Sequence, residues 1–282
     1  MQAEKGMEKA MGLKRFFFIG LFCLLGFTMM TIQTLACTIF YVKGSATDYF
    51  AGNEDWFFTD PIISVTPGNK QDYGYMVMGW NSYLPQYPQA GINEYGLCFD
   101  WASLSSQKYQ RNPQRINTEE DLMYLILKKC RTVDEAVEVI KKYNWPQFGQ
   151  EHLLIADRTG NSCVVEWSRN DYVFIKNEKT YQVITNFTLT DSKIGNYPCK
   201  RFNTIQAAFK EVQRQTITKE RVKTLLDQTH QEGQYPTVYS YIFDLKTLQV
   251  TIFPNHRYSE GKTYWLPREL KKGGHRIPIN LN

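Results

Sequence analysis

Cys37 is the residue of this 282-residue chain best suited to covalent chemistry. It stands in Thr34-Leu35-Ala36-Cys37-Thr38-Ile39-Phe40-Tyr41, where an apolar segment ends and a β pattern begins. Cleavage between Ala36 and Cys37 would give one residue both a thiol and a free α-amine. The thiol is a nucleophile, and an amine with a reference pKa of about 7.7–8.0 is a usable base near neutrality. Nucleophile and base would then sit on the same residue.

Three further segments carry groups that acyl transfer requires. Gly52-Asn53-Glu54-Asp55-Trp56 ends the strand expected to pair with the Cys37 strand, so the hairpin returns Asp55 toward Cys37, where its carboxylate can hold the amine. Thr185-Asn186-Phe187 places an amide at a strand end, and an asparagine Nδ2 is a suitable donor to an oxyanion. Lys200-Arg201-Phe202 opens a helix, and an arginine near a thiol lowers its pKa or fixes a carboxylate. Taken singly, each also fits a structural role: a turn acid, a turn asparagine and a surface charge. Trp56, Trp80, Tyr83, Asn93 and Trp101 form the expected substrate-binding set. The aromatic, proline-containing stretch from Trp80 to Gln89 reads as a loop over an apolar acyl pocket.

The elements that must position these residues follow from periodicity. Period-two runs predict a hairpin from Cys37 to Asn53, and strands at Ile62–Thr66, Tyr75–Met78 and Gly96–Trp101. A cap at Thr118-Glu119-Glu120-Asp121 and a capping box at Thr132-Val133-Asp134-Glu135 open two helices. A strand meander from His152 to Thr185 follows, then helices carrying Phe202, Ile205 and Phe209, and Val222, Leu225 and Leu226. A hairpin over Val238–Phe253 comes last. Hairpins separated by helix pairs favour a layered α+β sandwich over a doubly wound parallel sheet. No repeat or linker interrupts residues 37–282, so a single domain is expected.

Residues 1–36 read as an export signal: Lys9, Lys14 and Arg15 precede an apolar run from Phe16 to Ile32 and a short cleavage region. The run is slightly under the roughly 20 residues of a spanning helix, and no later segment is apolar enough to span. The expected location is periplasmic or secreted, with no stable membrane span once the signal is removed. The net charge of +5 falls when the signal's own cations are set aside, so no nucleic-acid partner is implied. Basic Arg268–Arg276 reads as a solvated tail. Of six cysteines, Cys23 leaves with the signal. The odd remainder implies a free thiol, and Cys98, Cys130 and Cys163 read as buried hydrophobes. No ligand cluster calls for a metal, and the chemistry needs no cofactor. The sequence is compatible with a homo-oligomer.

Four stretches, Cys37-Thr38-Ile39-Phe40, Gly52-Asn53-Glu54-Asp55-Trp56, Gly91-Ile92-Asn93-Glu94-Tyr95-Gly96-Leu97 and Thr185-Asn186, with Arg201 after them, appear together in order. This set resembles the N-terminal-nucleophile hydrolases of the linear amide C–N hydrolase group, which includes choloylglycine (bile salt) hydrolases, penicillin V acylases and isopenicillin-N acyltransferase-like proteins. The resemblance implies a four-layer αββα sandwich and hydrolysis of a non-peptide amide, a small molecule with an apolar acyl group. It also implies Cys37 as nucleophile, Asp55 as the acid orienting its amine, Asn186 in the oxyanion hole and Arg201 supporting the thiol. An arginine usual in bile salt hydrolases is missing where Gly52 precedes Asn53, which points to a different acyl group.

Three rivals stand beside this reading. An acyltransferase would use the same residues and pass the acyl group to an amine. A lipoprotein would use Cys37 only as an acylated anchor, but Thr34 stands where a lipobox has leucine, and a strand begins at once where a tether is expected. A papain-type protease would need a histidine, and His152 and His256 both read as structural.

Overall fold

Alternation along one strand sets the layering. The computed structural model describes residues 37–195, 197–210 and 217–282; the expected signal segment lies outside them. In β1 (Thr38–Lys43), Ile39 and Tyr41 enter one core, while Phe40 and Val42 enter another. Successive side chains of a strand point to opposite faces, so a strand apolar at both parities belongs in the middle of a layered structure.

β1 pairs antiparallel with β2 (Asp48–Asp55) and with β12 (Tyr181–Ile184). β13 (Thr237–Asp244), β14 (Gln249–Pro254) and β15 (Lys262–Trp265) complete a six-stranded sheet in the order β12-β1-β2-β13-β14-β15. The second sheet has eight strands, ordered β11-β10-β9-β6-β5-β4-β3-β16. Its members are β3 (Pro61–Thr66), β4 (Tyr75–Trp80), β5 (Ala90–Asn93), β6 (Cys98–Ser103), β9 (Glu151–Ala156), β10 (Ser162–Ser168), β11 (Asp171–Lys176) and β16 (His275–Pro278). Two-residue strands β7 (Ile116–Asn117) and β8 (Tyr143–Asn144) form a small parallel pair.

The sheets share a core in which Ile39, Phe50, Tyr241 and Phe243 of one meet Ile63, Met78, Ile92 and Leu154 of the other. Helices α1 (Leu122–Lys129) and α2 (Val133–Ile140) cover the outer face of the larger sheet, burying Leu122, Ile126, Ala136 and Ile140. Helices α3 (Lys200–Lys210) and α4 (Lys219–Thr229) cover the smaller sheet through Phe202, Ile205, Leu225 and Leu226. Each fully buried side chain of this size contributes about 1.5–3 kcal/mol. The result is the expected αββα order.

Local chemistry explains the helix starts. Thr132 Oγ1 accepts from Glu135 N at 3.3 Å, and Glu135 Oε2 accepts from Arg131 N at 2.6 Å, closing one residue before the usual capping box. The first helix begins later than the expected cap at Thr118. Thr118 Oγ1 closes a turn on Glu120, and Asp121 caps Met123 N instead.

The C-terminal expectation is corrected. Arg268–Arg276 is not a solvated tail: it spans part of helix α5 (Leu266–Lys271) and runs into β16, where Ile277 pairs with Ile63. Leu266 and Ile279 are buried in the inter-sheet core, with Leu270 and Ile277 packed against it, so the basic residues mask an element with one apolar side.

Candidate active site

The hairpin register decides what faces the thiol. Thr38 pairs with Asn53, and one step further in the same register sets Glu54 opposite Cys37. Glu54 shares the face that looks into the inter-sheet space, and Cys37 Sγ donates to Glu54 Oε2 at 3.6 Å. Asp55, of opposite parity, turns toward the helices. Its carboxylate accepts from Thr237 Oγ1 and from Gln231 Nε2 at 2.8 Å, and it pairs with Arg201 at 3.5 Å. Asn53 shares that parity and ties β2 to helix α4 through the carbonyl oxygen of Leu226 at 3.0 Å.

Arg201, in the first turn of α3, gathers the remaining pieces. It donates to the carbonyl oxygen of Cys37 at 2.8 Å, to Thr38 Oγ1 at 2.7 Å and to Asn186 Oδ1 at 3.0 Å. Asn186 follows the end of β12 and donates one Nδ2 hydrogen to the carbonyl oxygen of Ser103 at 2.9 Å. An amide nitrogen carries two hydrogens, so a second is left to offer. Cys37, Asp55, Asn186 and Arg201, scattered in sequence, therefore form one bonded cluster.

The electrostatics modify one expectation. Arg201 bonds the Cys37 carbonyl rather than its sulfur. Burial pushes the thiol well above its ordinary value, and the charges of Glu54, Asp55 and Asp100 push the same way, against a hydrogen bond from the Asp55 backbone. A thiol in such surroundings keeps its proton until a base takes it. Burial also lifts Asp55 to about 7, with Arg201 the largest opposing influence.

Beneath the thiol lies a carboxyl pair that sequence reasoning missed. Asp100 on β6 accepts from Tyr241 Oη, from its neighbour Trp101 N at 2.6 Å and from Gln89 Nε2 at 3.2 Å. Burial, then the adjacent Asp100, holds Glu54 well above the carboxylate range; burial also lifts Asp100 to about 7, against the hydrogen bonds it accepts. Glu54 and Asp100 hydrogen-bond each other, so the pair shares a proton. Counting the hairpin register from its turn would have put Glu54 beside Cys37; nothing local announces Asp100. Gly52 makes room for the pair: a Cβ there would lie 2.8 Å from the Tyr241 ring and 2.9 Å from Asp100.

A cavity of about 940 Å³ opens on Cys37. Trp56, Phe58, Trp80, Tyr83 and Trp101 line it, as do Tyr87 and its flanking prolines, in keeping with the aromatic loop expected there. Trp145 and Glu151 were not foreseen in its wall.

The family model for acyl-coenzyme A:6-aminopenicillanic acid acyl-transferase matches residues 42–259. The chain belongs to this family. The match begins five residues after Cys37. No curated protein matches the chain significantly. Among solved structures, penicillin V acylase from Agrobacterium tumefaciens is similar at 18% identity and TM-score 0.66, covering 87% of this chain and 92% of that one. A cysteine-to-alanine mutant of conjugated bile acid hydrolase from Clostridium perfringens is similar at 18% identity and TM-score 0.66, over 87% and 97% of the two chains. An arginine-to-leucine variant of that hydrolase reaches TM-score 0.68 at 17% identity, with the same coverage. The fold is thus that of the N-terminal-nucleophile hydrolases.

In this member of the acyl-transferase family, Asn93 does not line the cavity, contrary to expectation. It is fully buried, donates to the carbonyl oxygens of Leu127 and Cys130 at 2.9 and 2.7 Å, and accepts from Tyr95 N and Leu97 N. It ties the β5–β6 turn to the end of helix α1, so its amide is consumed by structure. His152 is structural as expected: Nδ1 meets Glu166 Oε1 at 3.0 Å and Nε2 meets the carbonyl oxygen of Thr185 at 2.6 Å. Cys98, Cys130, Cys163 and Cys199 are buried free thiols. Among the described residues, no helix is long and apolar enough to cross a membrane, and no group of three or more His, Cys, Asp or Glu is arranged to hold a metal ion.

Proposed function

We propose that the chain is exported, cut after Ala36, and acts as a cysteine amidase on a non-peptide linear amide with an apolar acyl group. The observation that carries this reading is the Cys37 thiol itself. It opens on an aromatic cavity, is held protonated by its surroundings, and has no histidine or lysine bonded to it among the described residues. A free α-amine on the same residue supplies the missing base.

The reaction follows from those groups. The thiol proton passes to the α-amine as sulfur bonds to the amide carbon, and the carbonyl electron pair moves onto oxygen. The second Asn186 N–H and a backbone N–H receive that oxyanion. The C–N bond then breaks, and the ammonium returns its proton to the leaving amine. Water, deprotonated by the α-amine, adds to the thioester carbon; the C–S bond breaks, the acid leaves, and the ammonium returns its proton to the Cys37 sulfur. Arg201 holds the Cys37 carbonyl and Asn186 in place, and Asp55 balances the charge of Arg201.

Intact mass and N-terminal sequencing of the mature protein, with a panel of phenylacetyl and phenoxyacetyl amides, test the reading. The expected result is an unmodified Cys37 N-terminus and amine release that Cys37→Ala abolishes. A lipidated Cys37, or a mature chain retaining residues before it, overturns the mechanism. The family description favours acyl transfer as a second reading. An added primary amine that captures the acyl group faster than water would select it.

A further inference from the structure

We infer that Gln89 determines specificity in this cavity: its Oε1 accepts a hydrogen bond from the ligand, whose acyl group therefore carries a hydroxyl or N–H donor. The inference rests on the amidase reading above for calling that ligand an acylated amine. Gln89 ends the aromatic loop and lines the cavity, with its backbone N–H donating to the carbonyl oxygen of Met78 at 2.9 Å. Its side-chain Nε2 donates to Asp100 Oδ1 at 3.2 Å and to the carbonyl oxygen of Trp101 at 3.1 Å. A backbone carbonyl only accepts, so the amide cannot be turned over: its nitrogen faces Trp101 and its oxygen faces away. Oε1 receives no hydrogen bond from any described donor, and it keeps accessible surface in an otherwise half-buried side chain.

The anchor is firm and belongs to the site. Asp100 also holds Tyr241 Oη and Trp101 N, and it hydrogen-bonds Glu54, whose Oε2 accepts from the Cys37 thiol. Cys37 and Gln89 line the same cavity, so one ligand can meet both. Around Gln89 the loop offers Trp80, Tyr83, Pro85, Tyr87 and Pro88 to that cavity, which makes its oxygen a polar point in the wall read as the acyl pocket. Asn144, another amide in the lining, is already consumed: Oδ1 accepts from Asn112 N and Tyr109 Oη, and Nδ2 donates to the carbonyl oxygens of Asn112 and Arg115. An acceptor held in place before binding gives up little freedom when a donor meets it. A ligand without the donor strips water from Oε1 and returns nothing, which is how a fixed polar group rejects an apolar analogue.

Equilibrium binding to the full mature chain bearing Cys37→Ala tests this without turnover. The probes are the three ring-hydroxy isomers of N,N-dimethylphenylacetamide and their methoxy counterparts, at neutral pH. These amides have no N–H, so the hydroxyl is the single donor. At least one hydroxy isomer should bind about five- to tenfold more tightly than its methoxy counterpart. Gln89→Leu should bring that ratio close to unity, and Gln89→Met, of matching length, serves as the second variant. A merely structural loss would weaken both members of a pair alike and leave the ratio standing. No preference for any hydroxy isomer, a preference that survives both variants, or binding of none of the probes overturns the inference. Cys37-dependent cleavage of amides whose acyl groups lack a donor, as fast as of their hydroxylated analogues, also overturns it while sparing the amidase reading. Donor-selective binding that both variants lose, with no amide cleaved by the wild-type mature chain, supports the role of Gln89 and overturns the amidase reading.

Discussion

Arg201 Nη1 donates to the carbonyl oxygen of Cys37 at 2.8 Å across 164 residues of sequence. The same guanidinium reaches Thr38, Asn186 and Asp55, so one planar fork fixes the nucleophile, the amide donor and the buried acid relative to one another. A lysine offers a point charge without that fork.

Arg201→Lys is therefore expected to lower kcat/KM by about 100-fold, the scale of losing an aligned oxyanion donor, while the protein stays folded. The sign of its pH effect is also set. Arg201 is the largest influence opposing the burial that raises Asp55 to about 7. The wild-type rate should fall as pH drops through about 7, and weakening the pair should move that limb upward. A pH–rate profile of both proteins checks this; an unmoved limb would separate Asp55 ionisation from catalysis.

Glu54→Gln separates stability from activity. The folded protein holds the Glu54 carboxyl above its unfolded value, so between those two values the folded state binds more protons. Stability is then lost as pH rises through the folded value. The neutral amide removes that loss. Thermal melts should show little change near pH 5 and a gain on the order of 1–3 kcal/mol at alkaline pH. Activity should fall at every pH, because the group beside Cys37 Sγ no longer shares a proton with Asp100. A melting curve that tracks wild type across the whole range would refute the assignment.

His152 fastens the strand end that presents Asn186. Both ring nitrogens face acceptors, Glu166 Oε1 and the Thr185 carbonyl, and Glu166 also receives Leu189 N and Thr190 N. Breaking a buried pair by removing one partner costs about 3–5 kcal/mol. His152→Gln should lose stability on that scale in denaturant melts, and activity should decline with it through displacement of Asn186. A stable variant with normal kcat would show that the ring does not position the amide.

Gly52→Ala adds one methyl group where Tyr241 and Asp100 already approach to 2.8 and 2.9 Å. Overpacking of this kind costs about 1–3 kcal/mol. A lower denaturation midpoint, with a larger fall in kcat than in substrate affinity, is expected; unchanged melting would show that the floor can move.

Much of the fold was legible because burial imposes periodicity. The two parities of β1, the box from Thr132 to Glu135 and the apolar faces around Phe202 and Leu225 state their layers locally. The C-terminal strand was not legible, since Arg268, Lys271, Lys272 and Arg276 outweigh Leu266, Leu270 and Ile277 in any short window. Asn93 was legible as part of a motif but not in its role, because only the end of helix α1 shows where its amide hydrogens go.

By itself the sequence determined the chemistry available: one cysteine at a strand start, an acid, an amide and an arginine in a fixed order, and an aromatic loop. Only the tertiary structure decided how that chemistry is divided. Strand parity turned Glu54 toward the thiol and Asp55 toward the helices, and sheet stacking brought Asp100 beside Glu54. Side-chain direction within a strand is local, with period two, and can be counted. Which sheet lies across the gap depends on long-range packing, to which each residue contributes too little for any short stretch to encode it.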